Sequence, residues 1–160
     1  MLEVSAGFHH ELTGRENVFL SGAILGMSQR EIAARLNRII DFAEISDAID
    51  TPVKRYSSGM TARLAFSVAA HLDAEIMLVD EVLAVGDTAF KTKCLDAMRS
   101  LARSGRSIVF VSHELDMLER LCDRAILLDH GRILADGEPG ALVGMHRNDV
   151  DAADTEEIPA

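Results

Sequence analysis

Apolar positions along the chain fall into two regimes, and the change comes near residue 73. Before it they recur at helical spacing. Ile32, Leu36, Ile39, Ile40 and Ala43 form one stripe, and Leu64, Val68 and Leu72 form another. Ser28-Gln29-Arg30-Glu31 has the form of a capping box opening the first of these helices. Residues 1–17 are rich in glycine and polar groups and read as a loop leading into a helix around 15–25. Pro52 interrupts the pattern before a helix from about 57 to 72. After residue 73 short apolar blocks alternate with helical stripes. Ile76–Val79 and Ile108–Val111 read as buried strands. Phe90, Cys94, Met98 and Leu101 face inward from a helix after Asp87, and Leu115, Leu118 and Leu121 from a shorter one. Ala125–Leu128 and Ile133–Ala135 flank Asp129-His130-Gly131-Arg132, a hairpin turn. Alternating strands and helices imply an α/β fold with a mainly parallel sheet. There is no internal repeat.

The first strand ends in two adjacent carboxylates, Asp80 and Glu81. In open α/β sheets the carboxyl edge is where ligands bind, so such a strand delivers acid groups to a site. Taken alone, the run reads equally well as a buried strand leading into a polar loop. Ser57 and Gly59 open a helix, where unpaired amides and the helix dipole favour an anion. The plain alternative is an N-cap serine followed by a flexible glycine. Asp87 sits where an N-cap belongs. His113 follows the second strand; in isolation, a histidine there is more often a structural hydrogen-bonding residue. His113-Glu114 starts an H-E-x-x-H pattern that fails at Met117, which excludes a zinc-protease helix.

Composition narrows the field. A chain of 160 residues with 48% apolar content can bury one real core. A net charge of −10 argues against nucleic acid as a main partner. Part of that charge lies in 147–160, where Asp149, Asp151, Asp154, Glu156 and Glu157 suggest a disordered acidic tail. Cys94 and Cys122 show no metal or redox spacing, which suits a reducing compartment. No apolar run reaches bilayer-spanning length. The three lysines, Lys54, Lys91 and Lys93, follow Val53, Phe90 and Thr92, so these residues contain no Gly-Lys phosphate loop.

The order Tyr56-Ser57-Ser58-Gly59-Met60, then Ile76–Val79 with Asp80-Glu81, then Gly86-Asp87, then Ser112-His113 resembles the ATP-binding subunit of an ABC transporter. There these pieces are the signature, Walker B, the D-loop and the switch histidine. The resemblance covers roughly residues 7–146. The signature wording, Val82 in place of the usual proline, and Gly7-Phe8-His9-His10-Glu11-Leu12-Thr13-Gly14-Arg15-Glu16-Asn17 resemble the branch exporting O-antigen or teichoic acid. His10 departs from the proline more usual there.

The resemblance implies a P-loop NTPase core of the ABC type. Residues 1–146 would be a partial ATPase domain, with an inserted helical subdomain at 15–72, the C-terminal part of the core at 73–146, and the Walker A part absent. It implies ATP and Mg²⁺ as cofactors. Glu81 would be the catalytic base, His113 a γ-phosphate contact, and Asp80 the Mg²⁺ carboxylate acting through water. Ser57, Ser58 and Gly59 would meet ATP held by the opposite subunit; Ser58 replaces a glycine. Asp87 would act across the dimer. His9, His10 and Glu11 fall in the Q-loop region, where no glutamine is present, and carry only a coupling role.

The implied partners are a second ATP-binding subunit in a homodimer and a transmembrane permease. The implied place is the cytoplasmic face of the bacterial cytoplasmic membrane, with peripheral attachment through the permease. The implied work is ATP-driven export of a lipid-linked polysaccharide, with these residues alone inactive for want of Walker A. Two other functions fit the motifs: a truncated, non-catalytic partner subunit, and an ABC-type ATPase outside transport. Without a Walker A strand, the 107–111 and 125–128 strands would present apolar edges, and the isolated chain would be poorly soluble.

Overall fold

The computed structural model describes residues 7–80 and 87–156. They form two compact units, divided after Val111.

The first unit begins with three helices. Helix α1 spans Gly14–Ile24, α2 spans Gln29–Ala43 and α3 spans Ser58–Ala70. The Ser28–Glu31 capping box is present: the Ser28 hydroxyl accepts the Glu31 amide at 3.3 Å, and the Glu31 carboxylate accepts the Ser28 amide at 2.8 Å. A second box, Thr13 with Glu16, starts α1. Two orphan donors are satisfied at each helix start, so both begin where the sequence dictates. The helices pack through Val18, Ile32, Ile39, Ile40, Leu64 and Val68, all buried. Close approach of α1 to α2 depends on Gly22, where a β-carbon would stand 2.8 Å from the Ile32 side chain.

Strand β1, Ile76–Asp80, pairs in parallel with β2, Ser107–Val111, with Leu78 opposite Val109 and Asp80 opposite Val111. Helix α4, Thr88–Arg103, lies between them in sequence and buries Phe90, Cys94 and Met98, as the periodicity predicts. Met77 and Val79 are buried, whereas Ile76, Leu78, Val109 and Val111 are exposed. Strand residues alternate faces, so the pair is covered on one face and apolar but open on the other.

The second unit holds α5 (Leu115–Leu121), β3 (Ala125–Asp129), β4 (Arg132–Gly137) and α6 (Pro139–Glu156). Strands β3 and β4 pair antiparallel, with Asp129 opposite Arg132. His130 and Gly131 both take positive φ, 43° and 77°. Two such residues in a two-residue loop define the turn whose twist matches a hairpin. Leu142 and Val143 of α6 are buried, and α6 packs on both strands.

The structure departs from the sequence reading in three details. Strand β2, expected to be buried, has no buried residue: its positions alternate between exposed and half-buried. In α5 the buried side chain is Met117, while Leu115, Leu118 and Leu121 are half-buried. A seven-residue helix has under two turns, too few for the spacing of three leucines to set its buried face. Finally, α6 continues through Glu156, into the segment whose acidity suggested a tail. Between Gly144 and Pro159 no glycine or proline interrupts it.

Candidate functional site

Ser57 is the N-cap of α3, in extended conformation (φ −69°, ψ 160°), and its hydroxyl accepts the Met60 amide at 3.1 Å. The first intrahelical backbone bond runs from the Thr61 amide to the Ser57 carbonyl. Helix geometry therefore offers the amides of Ser58 and Gly59 no carbonyl of their own. A β-carbon added at Gly59 would touch only the Ser57 hydroxyl, at 3.8 Å. Packing does not require a glycine here; its effect is to leave the backbone open to approach. With no acidic residue in the first turn, this helix end suits an anion, and Ser57 can accept from Met60 while donating its own proton outward.

Asp80 is the last residue of β1, at the carboxyl end of a parallel pair. Glu81, together with residues 82–86, lies outside the described residues. Asp87 caps α4: one carboxylate oxygen accepts the Phe90 amide at 2.9 Å, and the other stands 3.8 Å from the Arg63 guanidinium. The expected capping role is thus met, and an α3 residue reaches the same carboxylate. His113 is exposed, in the second unit, two residues beyond β2. The neighbouring Ser112 hydroxyl accepts the Glu114 amide at 2.9 Å at the start of α5. The structure brings the Ser57 helix and Asp87 together in one unit; His113 belongs to the other.

The loop at 9–13 owes its form to Asn17, which is fully buried on α1. The Asn17 side-chain amide donates to the carbonyls of His9, Leu12 and Thr13, at 2.9–3.1 Å, and its oxygen accepts the His9 amide at 2.6 Å. Both the amide group and the oxygen of the side chain are hydrogen-bonded, which is how a buried amide is tolerated. Lys54 ties the loop from outside through its 2.6 Å bond to Glu11, whose carboxyl it holds below the usual range. His9, His10 and Glu11 are all exposed.

Sequence reasoning missed Asn17, Arg63 and Glu44. A signal existed for the first: Asn17 falls one position before Val18 inside an apolar helix, where a polar residue needs a reason.

No family model matches the chain. The ABC transporter protein AbcA of Aeromonas salmonicida is 54% identical over 143 residues, covering 89% of this chain and 46% of that protein. The O-antigen export system ATP-binding protein RfbB of Klebsiella pneumoniae is 43% identical, over 92% of this chain and 60% of its own length. The chain is a homologue of polysaccharide-export ATP-binding proteins. The teichoic acids export ATP-binding protein TagH of Lactiplantibacillus plantarum is also 43% identical, over 92% of this chain and 40% of that protein. The chain thus spans between two-fifths and three-fifths of the length of these relatives.

Solved structures agree on the fold. An ATP-binding subunit of an ABC transporter superposes with a TM-score of 0.75 at 24% identity, covering 87% of this chain and 58% of that one. A dimeric ATP-binding cassette bound to ADP and phosphate gives 0.68 at 23%, covering 82% and 59%. The fold is that of an ABC ATPase domain, as the resemblance implied. Among the described residues no helix is long and apolar enough to cross a membrane.

Proposed function

We propose that this chain is part of the ATP-hydrolysing subunit of an ABC exporter of lipid-linked polysaccharide, O-antigen or teichoic acid, acting as one half of a head-to-tail dimer bound to a transmembrane permease at the cytoplasmic membrane face. The observation that carries the reading is the start of α3. Ser57 caps it, Gly59 leaves its amides approachable, and both lie in a sequence homologous to ATP-binding export proteins.

MgATP, when bound, supplies a γ-phosphoryl group with developing negative charge, and catalysis of its transfer is mostly positioning. The Ser57 hydroxyl donates to that phosphate, and the Ser58 and Gly59 amides face it, while the nucleotide is held by the opposite subunit. Asp80 would hold the Mg²⁺ shell through water. Glu81 orients or deprotonates the attacking water, and His113 contacts the γ-phosphate. Asp87 serves the interface while capping α4.

Ser57→Asp tests the proposal, because aspartate caps a helix as well as serine but repels an anion. The wild-type chain is expected to bind a tagged, phosphate-loop-bearing export subunit only with MgATP present. Ser57→Asp is expected to melt within a few degrees of wild type and to lose that pairing by at least about tenfold, since a hydrogen bond to a charged group is worth about 1.5–3 kcal/mol. Pairing by the variant at wild-type strength would remove the helix end from the nucleotide site.

A further inference from the structure

Helix α2 ends in an unusual way. Its C-cap residue, Glu44, adopts the left-handed conformation at φ 55°, ψ 44°, where glycine or asparagine is the ordinary choice. A glutamate there gives up backbone comfort, and its carboxylate shows what is gained. One oxygen accepts from Lys93 Nζ of α4 at 2.8 Å, and the other accepts from the Arg63 guanidinium of α3. Hydrogen bonding by Lys93 holds the Glu44 carboxyl below its usual range, against the opposing effect of burial, with Arg63 adding to the lowering.

Arg63 is the centre of this arrangement. Its side chain is mostly buried; Nε donates to the Ala43 carbonyl at 3.1 Å, Nη1 stands 3.8 Å from the Asp87 carboxylate, and the guanidinium lies over the Phe90 ring at 4.7 Å. Lys93 mirrors it, donating to the Phe42 carbonyl at 2.9 Å with its ammonium over the Phe42 ring at 4.7 Å. Below the two cations, Phe42, Phe66 and Phe90 pack with centroids 5.9–6.3 Å apart. A guanidinium presents its donors in a planar fork, so Arg63 reaches the Ala43 carbonyl and two carboxylates, those of Glu44 and Asp87, while its face lies over a ring. Three helices thus meet at one charge cluster over one aromatic cluster.

We infer that Arg63 is a positioning residue, which fixes the N-terminus of α4 and its cap Asp87 against the C-terminal end of α2 and the helix capped by Ser57, with Glu44 as the shared counter-charge. Its relevance to the nucleotide rests on the proposed function, because Ser57 and Asp87 are the two groups that reading places at the dimer interface. The cluster sets their mutual position. Rotation of α3 would carry Arg63, and through it the start of α4.

Hydrogen exchange of the full chain, read by mass spectrometry without nucleotide, separates this claim from the functional one. Two segments matter: 88–94, the start of α4, and 29–35, the start of α2 with its own capping box. Arg63→Met is expected to speed exchange of 88–94 by about tenfold and to leave 29–35 within about twofold. Arg63→Lys is expected to restore part of the protection. Glu44→Gly relieves the left-handed backbone while deleting the carboxylate, so it is expected to loosen 88–94 without loosening the end of α2. Unchanged exchange at 88–94 in both Arg63→Met and Glu44→Gly would overturn the inference. So would an equal acceleration of 88–94 and 29–35, which marks general destabilisation.

Discussion

Phe90→Ala is expected to lower the unfolding free energy by about 3–5 kcal/mol, the range for truncating a fully buried aromatic. That is a large share of the ~5–15 kcal/mol that holds a domain together. Phe90 is among the largest fully buried side chains described. It makes edge-to-face contacts with Phe42 and Phe66, carries Arg63 over its ring, and gives its amide to Asp87. Truncation empties the space below the Arg63 guanidinium and leaves α4 with less to pack against α3. The denaturant midpoint of the purified chain measures the effect. Cys94, one turn along the same helix, gives a local probe. Its thiol is buried and pushed up to about 12, so it stays protonated and unreactive in the folded protein. Faster labelling of Cys94 in the variant is expected to accompany the lost stability. A midpoint unchanged from wild type would mean that the aromatic cluster contributes little.

Glu81→Gln is expected to reduce ATP hydrolysis by about 10²–10⁴-fold in a dimer formed with a phosphate-loop-bearing subunit, the range for losing a general base. Nucleotide-dependent pairing should survive, because an amide keeps the side chain's size and removes only its charge. The reasoning starts from the strand. Met77 and Val79 are buried and Asp80 ends β1 at the carboxyl edge of a parallel pair, the edge at which ligands of α/β folds sit, and Glu81 follows it directly in sequence. Single-turnover hydrolysis in the mixed dimer measures it. Hydrolysis within a few-fold of wild type would move the base elsewhere.

Much of this was legible in the sequence because the local signals were strong. Ser28 and Glu31 specify the start of α2 by their own hydrogen bonds, and Asp87 does the same for α4. Asp129-His130-Gly131-Arg132 specifies a hairpin because only a few residue types accept two successive positive φ values. The motif order, read as a resemblance, carried the fold and the family, which comparison with export proteins bore out. What the sequence hid was contact at a distance. Glu44 and Lys93 are 49 positions apart and meet only because α2 and α4 pack on α3. Arg63 reads as a solvated helix position until the burial of its side chain is seen. Asn17 reads as an ordinary helix residue until its bonds to the preceding loop are traced. The buried face of α5 escaped for a different reason: too few turns for the pattern to choose Met117.

Titration calorimetry of the purified chain with MgATP tests the central claim most directly. That claim is that these residues hold the part of a nucleotide site that acts across an interface and not the phosphate cradle. The account predicts no saturable heat up to millimolar nucleotide, for wild type and for Glu81→Gln alike. Saturable binding at micromolar nucleotide would contradict it, because another segment of these 160 residues would then have to cradle the phosphates.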